Sequence, residues 1–185
     1  MTAAHVRIVQ LDAATLAALA DGDLERAQVT SPVALTPWLA GPESVGTWRF
    51  RAKQAVETPD DLPWITGVLW DDALQEAVGK AGFHAAPNDV GMVEVGYAVD
   101  PAYRRRGYAR AALETLIDRA RSEPSVRILR ATVSPENAAS LALIAQYPFV
   151  EVGEQWDDED GLETIFEMPV PPVVEVRGGP RSTGG

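Results

Sequence analysis

Between Val90 and Val99 apolar and polar residues alternate. Val93, Val95, Tyr97 and Val99 share one face, opposite Glu94, Gly96 and Ala98. A period of two is the mark of a strand with one face toward a core. A few residues on, Ala109, Ala112, Leu113, Leu116, Ile117 and Ala120 recur at helical spacing, which predicts an amphipathic helix over 108–123. The segment 126–133 reads as another strand. The unit from Val90 to Val133 is therefore a strand–helix–strand, expected to form a right-handed parallel crossover.

The same reading extends to both sides. His5 to Leu11 alternates as a strand, and 12–28 reads as one or two short helices, with Asp12 as N-cap and Gly22 as a break. Pro42 to Glu57 reads as a helix with Pro42 near its first position, and Val45, Trp48, Ala52 and Val56 on one face. Pro63 to Asp71 and Leu74 to Phe83 are strand candidates, followed by a turn at 85–89. Ser134 to Tyr147 reads as a helix opened by Ser134. Two last strands flank an acidic turn at Asp157 to Gly161. Beyond Pro169 a tail rich in Pro and Gly predicts disorder. The expectation is one α/β domain over 1–169, built on a mixed sheet, with a tail over 170–185.

Composition narrows the function. The chain has 185 residues, 46% of them hydrophobic, and a formal net charge of −11. The absence of cysteine excludes disulfides, thiolate metal sites and a cysteine nucleophile. His5 and His84 are single and far apart, so no metal is expected. No apolar run approaches the roughly 18 residues of a membrane span. The opening "MTAAHVRIVQ" lacks a signal-peptide pattern, so the expectation is a soluble cytoplasmic protein without a membrane partner. Acidity argues against nucleic acid as a partner, since phosphate contact rewards broad basic faces.

Against that background, eight of the 16 basic residues fall between Arg104 and Arg130. The stretch "VDPAYRRRGYAR" places Arg104, Arg105 and Arg106 after a strand and before a helix, with Gly107 at the entrance. A helix N-terminus leaves backbone N–H groups without partners and carries partial positive charge. Gly107 lets a ligand approach the backbone, and Ala109 keeps the first turn slim. This is the physics of a phosphate or pyrophosphate cradle, with arginines adding charge-assisted hydrogen bonds. The plainer alternative is a solvated arginine run. The chain lacks both G-x-x-x-x-G-K-[ST] and G-x-G-x-x-G.

Arg104-Arg105-Arg106-Gly107-Tyr108-Ala109 resembles the acyl-CoA motif [QR]-x-x-G-x-[GA] of the GNAT superfamily of N-acetyltransferases. The stretch from Gly79 to Ala109 is similar to the branch containing ribosomal-protein alanine acetyltransferases. The resemblance implies a mostly antiparallel twisted sheet with one parallel β-α-β crossover and helices on both faces. It implies acetyl-CoA as co-substrate, its pyrophosphate on the amides of residues 105 to 110. Its pantetheine arm would lie along Tyr97, Ala98 and Val99. Asn137 and Ser140 match the family's N-x-x-[SA] motif, in which Asn anchors the pantetheine and Ser can lie near the sulfur. Read without the family, Asn137 belongs to a first helical turn and Ser140 is a packing residue. Homodimers are common in the family, and nothing in these residues bears on that.

Two positions depart from the family pattern. Ile144 stands where many members carry the Tyr that protonates the departing thiolate, and Tyr147 lies one turn away. Pro148-Phe149 stands for the usual Gly-Phe, so the preceding helix must stop without a left-handed glycine. The expected reaction is direct acetyl transfer to a primary amine, either a peptide N-terminus or a small amine. A lysine amine near pKa 10.4 costs roughly 4–5 kcal/mol to neutralise at pH 7, and an α-amine near 7.7–8.0 about 1. Glu94 is the candidate base, a role the alanine-acetyltransferase branch often gives to the matching Glu, and Ser140 is a candidate acid. Trp38, Trp48 and Trp64 could line an acceptor pocket. The acidic run 157–160 reads as a solvated hairpin tip. With the usual Tyr missing, the competing reading is a non-catalytic acyl-CoA-binding or sensing domain.

Overall fold

The computed structural model describes residues 5–157 and 161–171. Seven strands form one open sheet: β1 (Val6–Val9), β2 (Gly67–Asp71), β3 (Glu76–Phe83), β4 (Met92–Val99), β5 (Ile128–Val133), β6 (Val150–Asp157) and β7 (Gly161–Pro169). Their order is β1-β2-β3-β4-β5-β7-β6. Every neighbouring pair is antiparallel except β4 with β5. The helices are α1 (Ala13–Ala20), α2 (Leu24–Thr30), α3 (Pro42–Glu57), α4 (Tyr108–Ser122) and α5 (Ala138–Ile144). The element order is the one the hydrophobic pattern predicts. No described helix is long and apolar enough to cross a membrane.

Two cores sandwich the sheet. On one face Leu113, Leu116 and Ile117 of α4 pack on Leu69, Phe83, Val95 and Leu129. On the other, Leu16 and Leu19 of α1 and Trp48 of α3 pack on Val9, Val68 and Trp70. Strand β2 is buried along its whole length because both of its faces are covered.

Three expectations need correction. The helix expected over 134–147 is only α5. Its N-cap is Asn137, whose side chain accepts from the Ser140 N–H at 3.1 Å, while Ser134 belongs to the preceding turn. The α5 helix ends through tight bonds, Gln146 N–H to Leu143 O and Tyr147 N–H to Ile144 O, just before Pro148. The buried stripe of α3 is Ser44, Trp48, Arg51 and Ala55, rotated from the apolar one expected, and Val56 is exposed. The rotation has a reason: Arg51 finds polar partners beneath the helix. Third, Val170 packs into the α4-side core, and its N–H donates to Arg127 O, so order continues past Pro169. Residues 158–160 of the acidic run, and the tail from 172, lie outside the described residues.

Candidate active site

The turn between β4 and α4 is built for an anion. Arg105 and Gly107 both have left-handed backbone, φ 61° and 88°, and flank Arg106. Such alternation aims successive N–H groups into one concavity. Gly107 is the N-cap of α4 and has no side chain to satisfy the first turn. No backbone N–H of residues 105 to 110 donates to any protein acceptor among the described residues, whereas Ala111 N–H closes the helix onto Gly107 O. The turn opens onto a cavity of about 590 Å³ that runs from Tyr97–Val99 past Arg104, Arg105 and Gly107 to Asn137 and Ser140.

The arginine side chains divide. Arg104 donates from Nε to Val99 O at 3.3 Å, and Arg105 lines the cavity. Arg106 lies over the Tyr103 ring, 5.4 Å from its centroid. Arg110 turns toward Gln146, Tyr147 and Glu114. Tyr108 points inward, and its hydroxyl donates to Asp71 Oδ2 at 2.7 Å. Burial and that carboxylate push the Tyr108 phenol up to about 12. Tyr147, one helical turn past Ile144, donates to Glu114 at 2.8 Å and faces the helix pair rather than the cavity.

Next to the cradle the sheet opens. Strand β5 pairs with β4 only through Met92–Glu94, while β3 pairs along Val95–Val99. On the β3 side, His84 N–H donates to Glu94 O and Asp100 N–H to Val78 O. The antiparallel alternation therefore turns the N–H groups of Tyr97 and Val99 into the gap left by β5. The gap is a cavity of about 230 Å³ lined by Gly96, Tyr97, Thr132, Asn137, Ser140 and Glu163. Tyr97 and Ser140 meet here. Burial pushes the Tyr97 phenol up, and the neighbouring Ser140 opposes the shift.

Through the gap, on the α3 face, lies the third cavity, of about 320 Å³. Gly96, Tyr97 and Ala98 form its floor, with Arg51, Lys80 and His84 around them. Glu94 faces the same side. Its Oε1 accepts from Thr132 Oγ1 at 2.5 Å and stands 3.5 Å from His84 Nδ1. Burial lowers the His84 imidazole below its ordinary value, with Arg51 adding to the effect and Glu94 opposing it. A Cβ at Gly96 would stand 2.9 Å from His84 Nε2, so glycine there is what lets the ring lie on β4. Trp38 and Trp48 stack near Lys80, whereas Trp64 packs with Phe83 on the opposite core. His84, Arg51 and Lys80 escaped the sequence reading. The nearest signal was that His84 and Glu94 flank one turn at matched distances, which antiparallel pairing makes neighbours. Among the described residues no group of three His, Asp or Glu side chains could hold a metal.

The chain belongs to the GNAT acetyltransferase family. Residues 6–150 match the model of the acetyltransferase (GNAT) domain. The chain is similar to the L-2,4-diaminobutyric acid acetyltransferase of Streptomyces coelicolor, 30% identical over 192 aligned positions, covering 91% of this chain and 99% of that protein. It is also 33% identical over 75 residues to the uncharacterized N-acetyltransferase YjdG of Bacillus subtilis, a match covering 40% of this chain and 45% of that protein. Among solved structures, the ribosomal-protein-S5-alanine acetyltransferase of Vibrio fischeri superposes with a TM-score of 0.57 at 18% identity, over 89% of this chain and 92% of that one. The chain is an N-acetyltransferase, and enzymes of its family take the acetyl group from acetyl-CoA.

Proposed function

We propose that this chain moves the acetyl group of acetyl-CoA directly to a small primary amine, with Glu94 as base. The observation that carries the reading is the run of unpartnered N–H groups at residues 105 to 110, opening onto the cavity that leads to Tyr97. They suit a pyrophosphate better than any protein group present. The pantetheine arm would pair with the gap-facing backbone of Tyr97 and Val99 as an added strand, with Asn137 at its side. Because the Asn137 carbonyl oxygen is engaged as the helix cap, its amide N–H₂ is the group free to hold the arm.

In the reaction the amine nitrogen bonds to the thioester carbon and the carbon–sulfur bond breaks. Glu94 takes the amine proton, directly or through one water, and Thr132 and His84 hold the carboxylate in place. Strand-end N–H groups polarise the thioester carbonyl. Ser140 gives a proton to the departing thiolate and is resupplied by Tyr97. This pair does the work that a Tyr at position 144 does in many relatives. A small acceptor is supported by the pocket size of about 320 Å³, at the lower end for ligand sites. It is also supported by the amino-acid substrate named for the Streptomyces relative.

The test is CoA thiol release from acetyl-CoA over a panel of small amines and peptides with free N-termini, with products confirmed by mass. Steady turnover on small amines is expected. CoA binding without turnover on any amine would instead support a binding or sensing domain.

A further inference from the structure

The α3-side cavity holds two buried cations with no anion in contact. Arg51 is 5% and Lys80 6% exposed, and among the described residues neither forms an ion pair. Arg51 donates from Nε to Thr66 Oγ1 and from Nη1 to Gln54 Oε1 and His84 O, and among the described residues Nη2 has no acceptor. Lys80 donates to Thr47 Oγ1 at 2.8 Å and Glu43 O at 3.4 Å, and among the described residues no third acceptor meets it. The indoles of Trp38 and Trp48 lie 5.5 and 5.8 Å from its ammonium. Burial first, and then repulsion from Arg51, lowers Lys80 to about 8.

The carboxylates around them are otherwise engaged. Asp61 takes the Ala86 N–H and the Gln54 amide. Glu94 takes Thr132 and faces His84. Glu43 acts on Lys80 only at longer range and is itself exposed. A buried cation without an anion is costly, and two in one cavity more so. Both donors line the cavity whose floor is Gly96–Ala98.

Resting on the acetyl-transfer reading above, we infer that Arg51 and Lys80 bind a carboxylate on the acceptor itself, so that the substrate is an amino carboxylate whose amine points to Glu94. The site is then dipolar: Arg51 and Lys80 in the cavity wall take the carboxylate, and Glu94, 3.5 Å behind the cavity-lining His84, draws the ammonium. A polyamine would meet two buried cations there, with only the exposed Glu43 of the cavity wall to offset them. An amino carboxylate neutralises the pair and is oriented by it, one guanidinium N–H and one ammonium N–H to its oxygens.

The test compares acceptors that differ only in the carboxylate: 2,4-diaminobutyrate against 1,3-diaminopropane, and 2,3-diaminopropionate against ethylenediamine. In each pair kcat/KM by thiol release is expected to be at least tenfold higher for the carboxylate-bearing member. In Lys80→Met and in Lys80→Gln, checked for fold by CoA binding, the ratio should drop below threefold. Equal kcat/KM within the pairs in the wild type, or a preference for the diamines, overturns the inference while leaving acetyl transfer to amines standing. Turnover of no member of either pair, where other amines of the panel above are acetylated, overturns the inference alone; turnover of no amine at all overturns both readings. A ratio that survives both Lys80 substitutions removes Lys80 from the recognition and overturns the inference as stated.

Discussion

Gly107 has φ of 88°, and a Cβ added there would meet no protein atom within 4 Å. The need for glycine is therefore in the backbone and in what must lie against it. Gly107→Val should weaken CoA binding by more than a hundredfold by calorimetry, because it strains the turn and fills the cradle. Arg105→Ala should cost under tenfold, since the Arg105 N–H stays and the left-handed turn is retained. Equal losses would place the binding energy in the guanidinium groups. Lys80 offers a second test at this scale. Its value of about 8 lies below the ordinary 10.5, so the fold favours the neutral amine. The stability this contributes is present above pH 10.5 and is lost as pH falls to 8. At pH 7 the charged form is fully penalised. Lys80→Met should therefore raise stability at pH 7 by about 1–2 kcal/mol, read from urea midpoints, while it removes carboxylate preference. A destabilised variant would mean that the contacts to Thr47 and the two indoles outweigh the buried charge. Neither Lys80 nor Arg51 stood out in the sequence. They come from β3 and α3, and only folding brings them into one pocket.

At the scale of elements, α4 was legible almost to the residue, because its apolar period and the glycine before it agree. The α3 bounds were equally clear from Pro42, but its buried face was not, since it buries Ser44 and Arg51 against polar partners. Hydrophobic spacing cannot report a face that is polar by function. The α5 helix shrank because the Asn137 cap, and not Ser134, decides where it starts. The cradle itself is held by contact between elements. Tyr108, first residue of α4, donates to Asp71 at the end of β2, and Asp71 also takes the N–H groups of Ala73 and Leu74. Asp71 is 4% exposed. Tyr108→Phe leaves its Oδ2 without that partner, and should cost about 1–3 kcal/mol in urea unfolding. CoA affinity should fall at least threefold in the same protein as the first turn of α4 loosens. Unchanged affinity would show that the turn holds its shape without this anchor.

At the scale of the whole molecule, the order of strands and helices, the mixed sheet and the parallel crossover could all be read from periodicity. What could not be read was where β4 and β5 part. That point depends on long-range register: β3 holds β4 to Val99, while β7 holds β5 to Val133. The parting joins the cradle on one side of the sheet to the dipolar pocket on the other, with Tyr97 lining all three cavities. It also gives Glu94 and His84 their place, since both lie on the pocket side next to Gly96. The proposed acetyl transfer across this opening requires Glu94 to take the amine proton. The most direct measurement is kcat of Glu94→Gln with a turned-over amine, beside its CoA affinity. The prediction is a fall of about 100-fold or more in kcat with CoA affinity within twofold of the wild type. A variant that keeps the wild-type kcat would contradict it.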